Sequence, residues 1–541
     1  MGLLEVIWEH VSLKGTLAIL IWLWVVSSIL TRVGENRRIK AIGPFAPNVP
    51  SRWPWALDVV YSVVQSTIHH KNYERWLAFF KDSGTDSSGT GSYTTELRAV
   101  NRRCVFTADP ENIKAILATQ FSDFGKGDIF HKEWCEFLGD SIFTTDGQMW
   151  HKSRQLLRPQ FSRDRISDLH CFESHLQTLF KAIANGGALR GEDQSVDMSA
   201  ANGRPIDISD LFFRYTLDVA TDFLLGKDVK SLSNPEQEFA FAFNEVQRLQ
   251  NIFTRCGPLF SHLISKAHFR KCLETMNAFV YQYVEQALKL SPEELETKTK
   301  SDASYTFLHE LASYTRDPKV LRDQVVAVLL AGRDTTASTL SWALYELGRH
   351  PEIVKKLRAE ILDVVGPDRT PTYADLKSMK YLQNTINETL RLYPVLPFNV
   401  RFSLHDTTLP RGGGPDGTQP LAVLKDTPIG YTTLLLHRRP DLYPEPSANF
   451  PPSEQFCPER WYHWQPKPWQ YIPFNGGPRI CIGQQFALTE MSYLLTRMFQ
   501  RYERVESLME SIDGGKPTLK AEIVLIPGDG VNVAFWEPKK K

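Results

Sequence analysis

Phe474-NGGPRICI-Gly483 sets one cysteine, Cys481, in a loop bounded by glycine and proline, beside Arg479 and directly ahead of a helical run from Gln484 to Arg501. A sulfur at a helix start is held as thiolate by unpaired backbone N–H groups and the positive end of the helix dipole, which suits it to ligate a metal. The plainer alternative is a structural cysteine beside a turn, the commoner fate of a single Cys. Against it, Phe474, Gly477, Arg479, Cys481 and Gly483 fit the pattern F-x-x-G-x-R-x-C-x-G. Five fixed positions at about 5% usage each co-occur by chance about once in ten thousand chains of this length.

Around that loop, the composition is that of a globular enzyme-sized chain: 541 residues, 42% apolar, 11% aromatic and 23% charged. Sixty-two basic residues balance sixty-two acidic ones, so the electrostatic footprint needed to bind nucleic acid is missing. The seven cysteines are odd in number and widely spaced, with no C-x-x-C pair for zinc or dithiol chemistry, which points to folding in a reducing compartment.

Seventeen uncharged residues, Gly15 to Thr31, lie between Lys14 and Arg32. As a helix they span roughly 25 Å, and with Lys14 snorkelling the span reaches back to Val11 and becomes long enough for a tilted membrane crossing. Glu5 and Glu9 offset Lys14, unlike the positive start of a signal peptide. Arg32, Arg37, Arg38 and Lys40 follow the span, which by the positive-inside rule places the remainder in the cytosol. Pro44, Pro47, Pro50 and Pro54 then forbid helix and predict an extended tether.

Beyond the tether, helical patterns dominate, the longest running from Leu321 to Arg349, and strand-like runs are short: Leu97 to Phe106, Leu421 to Val423, Ile429 to Leu436, Glu522 to Leu525 and Val531 to Phe535. The expectation is a mainly α chain with small β-sheets. Leu409-PRGGGPDGTQP-Leu421 reads as turns, and Ser83 to Tyr93 and Ser291 to Ser304 as surface loops.

With Cys481 in its loop, the sequence resembles the cytochrome P450 family from about residue 40 to the end. Glu388-TL-Arg391 followed by Phe456-CPER-Trp461 is similar to the family's buried network, here Glu388, Arg391 and Arg460. Trp150-HKS-Arg154 resembles the helix whose Trp and Arg reach a haem propionate, with Arg401 as a further partner. Ala331-GRDT-Thr336 lies inside the long helical pattern, where Gly332 is unfavourable by about 1 kcal/mol relative to Ala. Helical spacing puts Ala331, Asp334, Thr335 and Ser338 on one face. An isolated D-T-T reads as an exposed acid and a threonine bonded back to the preceding turn. Beside the thiolate loop it resembles the oxygen-activation helix, with Asp334 and Thr335 as the acid–alcohol pair. This segment, the Gly-rich turn and His437-RRPDLYP are similar to the fungal microsomal branch that hydroxylates alkanes and fatty acids.

The resemblance implies the cytochrome P450 fold behind one transmembrane helix: anchor 1–31, basic and proline-rich tether 32–60, haem-thiolate domain 61–541. It implies haem b ligated by Cys481, with Trp150, Arg154, Arg401, Phe474, Gly477, Arg479 and Gly483 holding the cofactor. Lacking a G-x-G-x-x-G fingerprint, the chain takes electrons from a separate NADPH-cytochrome reductase, with cytochrome b5 as a second candidate donor. Lys152, Arg158, Arg163 and Arg165 are candidates for the docking face. The expected activity is hydroxylation of a hydrophobic aliphatic substrate at the endoplasmic reticulum membrane by a single-pass, cytosol-facing protein. Tailoring of a polyketide-like fungal metabolite is the alternative, and a haem-thiolate isomerase or a haem sensor are the rivals.

Overall fold

The computed structural model describes residues 13–161, 169–192, 194–261, 264–295, 306–447 and 450–539. Arg163, Arg165 and most of the expected 291–304 loop lie outside them. The chain forms two compact units: Met1–Val64, Leu77–Phe124 and Val400–Tyr431 in the first, Gln65–Trp76, Gly125–Asn399 and Thr432–Lys541 in the second.

In the first unit, α1 (Leu13–Ile42) is one unbroken helix. Arg32 to Lys40, expected to open a tether, continue the helix because Arg, Glu and Lys are good helix formers and no proline intervenes before Pro44. The apolar half is bare, with Leu17, Trp22 and Leu30 all exposed, and the helix is long and apolar enough to cross a membrane. Its other end is docked. Ile39 is buried against Ala422 and Leu424, Arg38 pairs with Asp406 at 2.8 Å, and Arg98 bonds Glu35.

The proline-rich run is extended as expected, but it too is held: Val49 N donates to Glu96 O at 2.9 Å and Glu96 N to Pro47 O at 3.0 Å. Glu96 belongs to β1 (Thr94–Ala99), which pairs antiparallel with β2 (Arg102–Thr107). The expected single strand from Leu97 to Phe106 is thus a hairpin. Its turn sits at Val100 and Asn101, with φ of 44° and 69°. Tight hairpins need positive φ at both central residues, which Asn accepts and a β-branched Val does not advertise. The glycine-rich stretch also differs from expectation, since β3 (Thr407–Gly413) and β4 (Gln419–Val423) run into it and pair around a bulge. Strand β5 (Pro428–Tyr431) lies parallel to β2.

The second unit is mostly helical: α2 (Gly147–Leu157), α3 (His170–Asn185), α4 (Ile208–Leu225), α5 (Glu238–Ser261), α6 (Pro318–Leu347), α7 (Lys380–Leu392) and α8 (Gln484–Arg501). A small sheet pairs β6 (Arg504–Ser507) with β7 (Asn532–Trp536). The run from Ile429 to Leu436 is strand only to Tyr431, because the Thr432 hydroxyl caps a helical turn at Thr433–Leu436. Helix α6 is the axis of this unit. Asp317 caps it by accepting from Lys319 N and Val320 N, and its sides are buried almost all round, the mark of a central helix.

Candidate active site

The Cys481 loop is a chain of backbone constraints. Asn475 and Gly477 take φ of 65° and 64°, a conformation glycine enters without strain. A one-turn helix follows at Gly477–Arg479, and Cys481 N donates to Phe474 O at 2.9 Å, closing the loop. Phe474 packs against the main core. At Gly476 a Cβ would meet the Trp469 ring at 2.5 Å, whereas at Gly483 it would find only Phe161 at 3.5 Å. Backbone position, rather than space, makes Gly483 notable: it stands at the start of α8, where its N–H faces Cys481. Burial by the surrounding walls pushes the Cys481 thiol up, while the Gly483 N–H and the Arg154 charge pull it down. One side of the residue remains open, making Cys481 the exposed cysteine among the described ones.

Trp150 on α2 is buried and carries two guanidiniums, Arg479 at 4.7 Å and Arg154 at 5.9 Å. Arg154 donates to Ile480 O at 3.1 Å, tying α2 to the loop. Arg479 donates to Thr145 O at 2.8 Å and pairs with Asp146 at 2.6 Å. Arg401 belongs to the first unit, where it bonds Val400 O and lies over the Tyr431 ring. Lys152 and Arg158 are exposed.

Glu388, Arg391 and Arg460 come together with no exposed side-chain surface. Arg391 grips the carboxylate with two bonds of 2.7 Å, and Arg460 reaches it at 3.3 Å. Trp461 Nε1 and Cys457 N each add a bond of 3.0 Å. Remaining guanidinium protons go to carbonyls of Ser453, Pro451 and Pro452. Buried charge is tolerated here because the carboxylate meets two guanidiniums and two further N–H donors, and the guanidiniums find backbone carbonyls for most of their remaining protons.

The sequence matches the family described as Cytochrome P450 over residues 91–527. The chain belongs to this family. It is 56% identical to cytochrome P450 monooxygenase pvhE of Talaromyces variabilis over 96% of this chain and 95% of that one. Identity to cytochrome P450 52A13 of Debaryomyces hansenii is 41%, over 82% and 83% of the two chains. The crystal structure of a cytochrome P450DA mutant heme domain superposes with a TM-score of 0.73 at 19% identity, covering 92% of this chain and 98% of that one. The protein is thus a P450 monooxygenase with the P450 fold.

Haem with its iron on a cysteine is the cofactor of this family, and the residues of this P450 suit it. The donor set is one soft sulfur with an open side, two guanidiniums on a tryptophan, and exposed apolar side chains at Ile480 and Phe143, 40% and 37% accessible. Soft thiolate, apolar walls and cations match iron, macrocycle and propionates in turn.

On α6, Val328, Ala331, Gly332 and Thr335 are the part-exposed positions of an otherwise buried stretch. Their spacing, i, i+3, i+4, i+7, makes one stripe. Asp334 and Ser338 do not join it, contrary to the expected shared face. Asp334 lies about 100° around the helix from the stripe centre, buried beside Arg333 at 3.2 Å. Burial lifts its carboxyl to about 6 against the Arg333 charge and a Gln247 hydrogen bond. Thr335 Oγ1 donates to Ala331 O at 2.6 Å, and among the described residues no hydrogen bond joins it to Asp334. Ser338 donates to Leu525 O at 2.6 Å. A Cβ on Gly332 would meet only Ala220 Cβ at 3.9 Å, so packing does not demand glycine there.

Sequence reading missed two buried titratable groups. Glu490 on α8 is pushed up to about 8 by burial and hydrogen-bonds Thr336 on α6, linking the helix after the thiolate loop to the central one. An acid within an apolar helical run was the available signal. His437 is also buried; its Nε2 accepts from Ile472 N at 2.9 Å, just ahead of the Cys481 loop. Burial, then the Arg391 charge, lowers its pKa from 6.5 to about 3. The folded state therefore refuses a proton that the unfolded chain takes below about 6.5, and stability from this group is lost as pH falls through that window. Between pH 6.5 and 5.5 the unfolding free energy of the wild type should fall relative to His437→Gln by about 1 kcal/mol, read from denaturant titrations. A pH-independent difference would show that His437 is not held neutral.

Proposed function

We propose that this P450 hydroxylates a hydrophobic aliphatic substrate, a fatty acid, an alkane or a similar chain, with O2 and electrons from a separate NADPH-cytochrome reductase and cytochrome b5 as a second donor. The observation that carries the reading is the α6 stripe, which presents small and apolar groups and one hydroxyl, with no charge, on the open face of a buried helix. Such a wall suits a C–H bond rather than a charged reacting group.

In this reading Cys481 would supply the sulfur that holds the iron, Trp150, Arg154 and Arg479 would serve the propionate side, and Phe474, Gly477 and Gly483 shape the loop that presents the sulfur. Glu388, Arg391 and Arg460 fix the core and take no part in chemistry. When bound, haem supplies activation of O2 and transfer of one oxygen atom into a C–H bond, the other leaving as water. The Thr335 hydroxyl, held by Ala331 O, orients a proton donor at the stripe. Asp334, with its carboxyl near 6, exchanges protons close to neutral pH and supplies them from the Arg333 side. The bare half of α1 and the basic residues after it support a single crossing of the endoplasmic reticulum membrane, with the chain beyond that helix in the cytosol.

Thr335→Ala should leave NADPH consumption running while product per NADPH falls and released peroxide rises; general-acid assistance is worth about a hundred- to ten-thousand-fold. Asp334→Asn should slow turnover without the same loss of coupling. The measurement is product, NADPH and peroxide in the reconstituted system, after binding spectra against fatty acids, alkanes and polyketide-type aromatics. Unchanged coupling and rate in both variants would remove the proton-handling roles. A spectral shift with the aromatics alone would overturn the aliphatic assignment.

A further inference from the structure

Away from the thiolate loop, Cys171 and His175 stand one turn apart on α3, and Asp222 faces them from the last turn of α4. Their ligand atoms all lie within 4.8 Å of one another. Cys171 Sγ is 3.6 Å from Asp222 Oδ2, and His175 Nε2 is 3.1 Å from the same oxygen. Zinc bonds of about 2.3 Å to sulfur, about 2.05 Å to nitrogen and about 2.1 Å to oxygen, set at tetrahedral angles, give ligand separations of about 3.6 Å for S to O and about 3.4 Å for N to O. The two observed edges are within about 0.3 Å of those values.

The surroundings have the anatomy of a cation site. Gly226 ends α4 in a left-handed conformation, φ 67°, and the chain doubles back so that Asp228 Oδ2 stands 3.6 Å from His175 Nδ1. A carboxylate behind a ring nitrogen is what fixes the tautomer of a metal-bound imidazole and raises its basicity. Asp218 is committed elsewhere, accepting from Ser231 N at 2.7 Å and Leu232 N at 3.0 Å. The His175 side chain is only 7% exposed and that of Asp222 36%, so the cluster is closed on one side and open to water on the other.

We propose that Cys171, His175 and Asp222 form a binding site for a divalent cation of the zinc class, with water as fourth ligand and Asp228 fixing the imidazole. The ion would clamp α3 to α4. On binding, the thiol proton leaves to solvent and Nε2 gives up the proton it shares with Asp222, leaving the ring neutral with its proton on Nδ1 toward Asp228, so the −2 charge of thiolate and carboxylate meets the +2 of the metal.

The test uses the full-length haem-loaded protein in detergent, stripped with a chelator, titrated with zinc chloride, and assayed for zinc and iron after gel filtration. Wild type should retain about one additional zinc per iron and gain thermal stability with the metal. Cys171→Ser and Asp222→Asn, both at the accessible edge, should lose both effects, and Asp228→Asn should bind about 10- to 100-fold more weakly. His175→Ala is avoided because its ring is packed; circular dichroism and the haem spectrum check that the chosen variants fold. Equal retention by wild type and Cys171→Ser, or none by wild type, would overturn the site.

Discussion

Cys481→Ser is expected to abolish turnover and the reduced, CO-bound absorbance of a haem-thiolate centre. A serine hydroxyl stays protonated near neutral pH and is a hard oxygen donor, so it cannot stand in for a soft anionic sulfur. No described neighbour can substitute. Cys457, half-buried, spends its backbone N–H on Glu388 and lies within 3.6 Å of Glu459, and Cys104, Cys135, Cys171 and Cys272 are half-buried or buried. The loop itself should survive, since the Phe474, Gly477 and Arg479 contacts use backbone and guanidinium groups rather than the sulfur. The expected outcome is a folded protein with the thiolate band gone and activity at background. An unchanged band in this variant would assign the ligand to another cysteine.

Glu388→Gln is expected to be among the most destabilising isosteric changes in the chain. The carboxylate answers two guanidiniums, an indole N–H and a backbone N–H, all with no exposed side-chain surface at the three charged residues. A neutral amide leaves Arg391 and Arg460 uncompensated and turns an NH2 group toward them. Breaking a buried pair by removing one partner is worth about 3 to 5 kcal/mol, a large share of the stability of a typical domain. Denaturant unfolding should show the loss, accompanied by lower haem content after purification. A Glu388→Gln protein within about 1 kcal/mol of wild type would mean that water or the nearby carbonyls relieve the charge.

Much of this was legible in the chain. The thiolate loop announces itself because each fixed residue has a separate backbone or electrostatic job, and α6 because its helical pattern runs from Leu321 to Arg349, although the helix opens earlier, at Pro318 behind the Asp317 cap. What escaped reading was orientation. Spacing alone grouped Asp334 with Thr335, but Arg333 and the rings of Phe213 and Phe243 create a buried charge pocket on the adjacent strip of helix. The hairpin at Val100-Asn101 was hidden because valine rarely marks a left-handed turn. The Cys171, His175 and Asp222 cluster could not be seen at all, since its third member arrives from another helix across 47 residues of sequence.

Helix α1 has one more consequence. From Thr31 to Ile42 it rises about 18 Å as a rigid rod and ends clamped by Ile39, Arg38 and Glu35, where a flexible leash of that length would let its load tumble through a radius of about 20 Å. Under the proposed membrane crossing, such a rod would hold the strands docked on its end at a set distance from the headgroups. Greasy compounds partition into that sheet and diffuse in two dimensions. For the aliphatic substrate proposed above, the quantity that would saturate the enzyme is its mole fraction in the bilayer, so doubling the lipid at constant total compound would about halve the effective dose although the nominal concentration is unchanged.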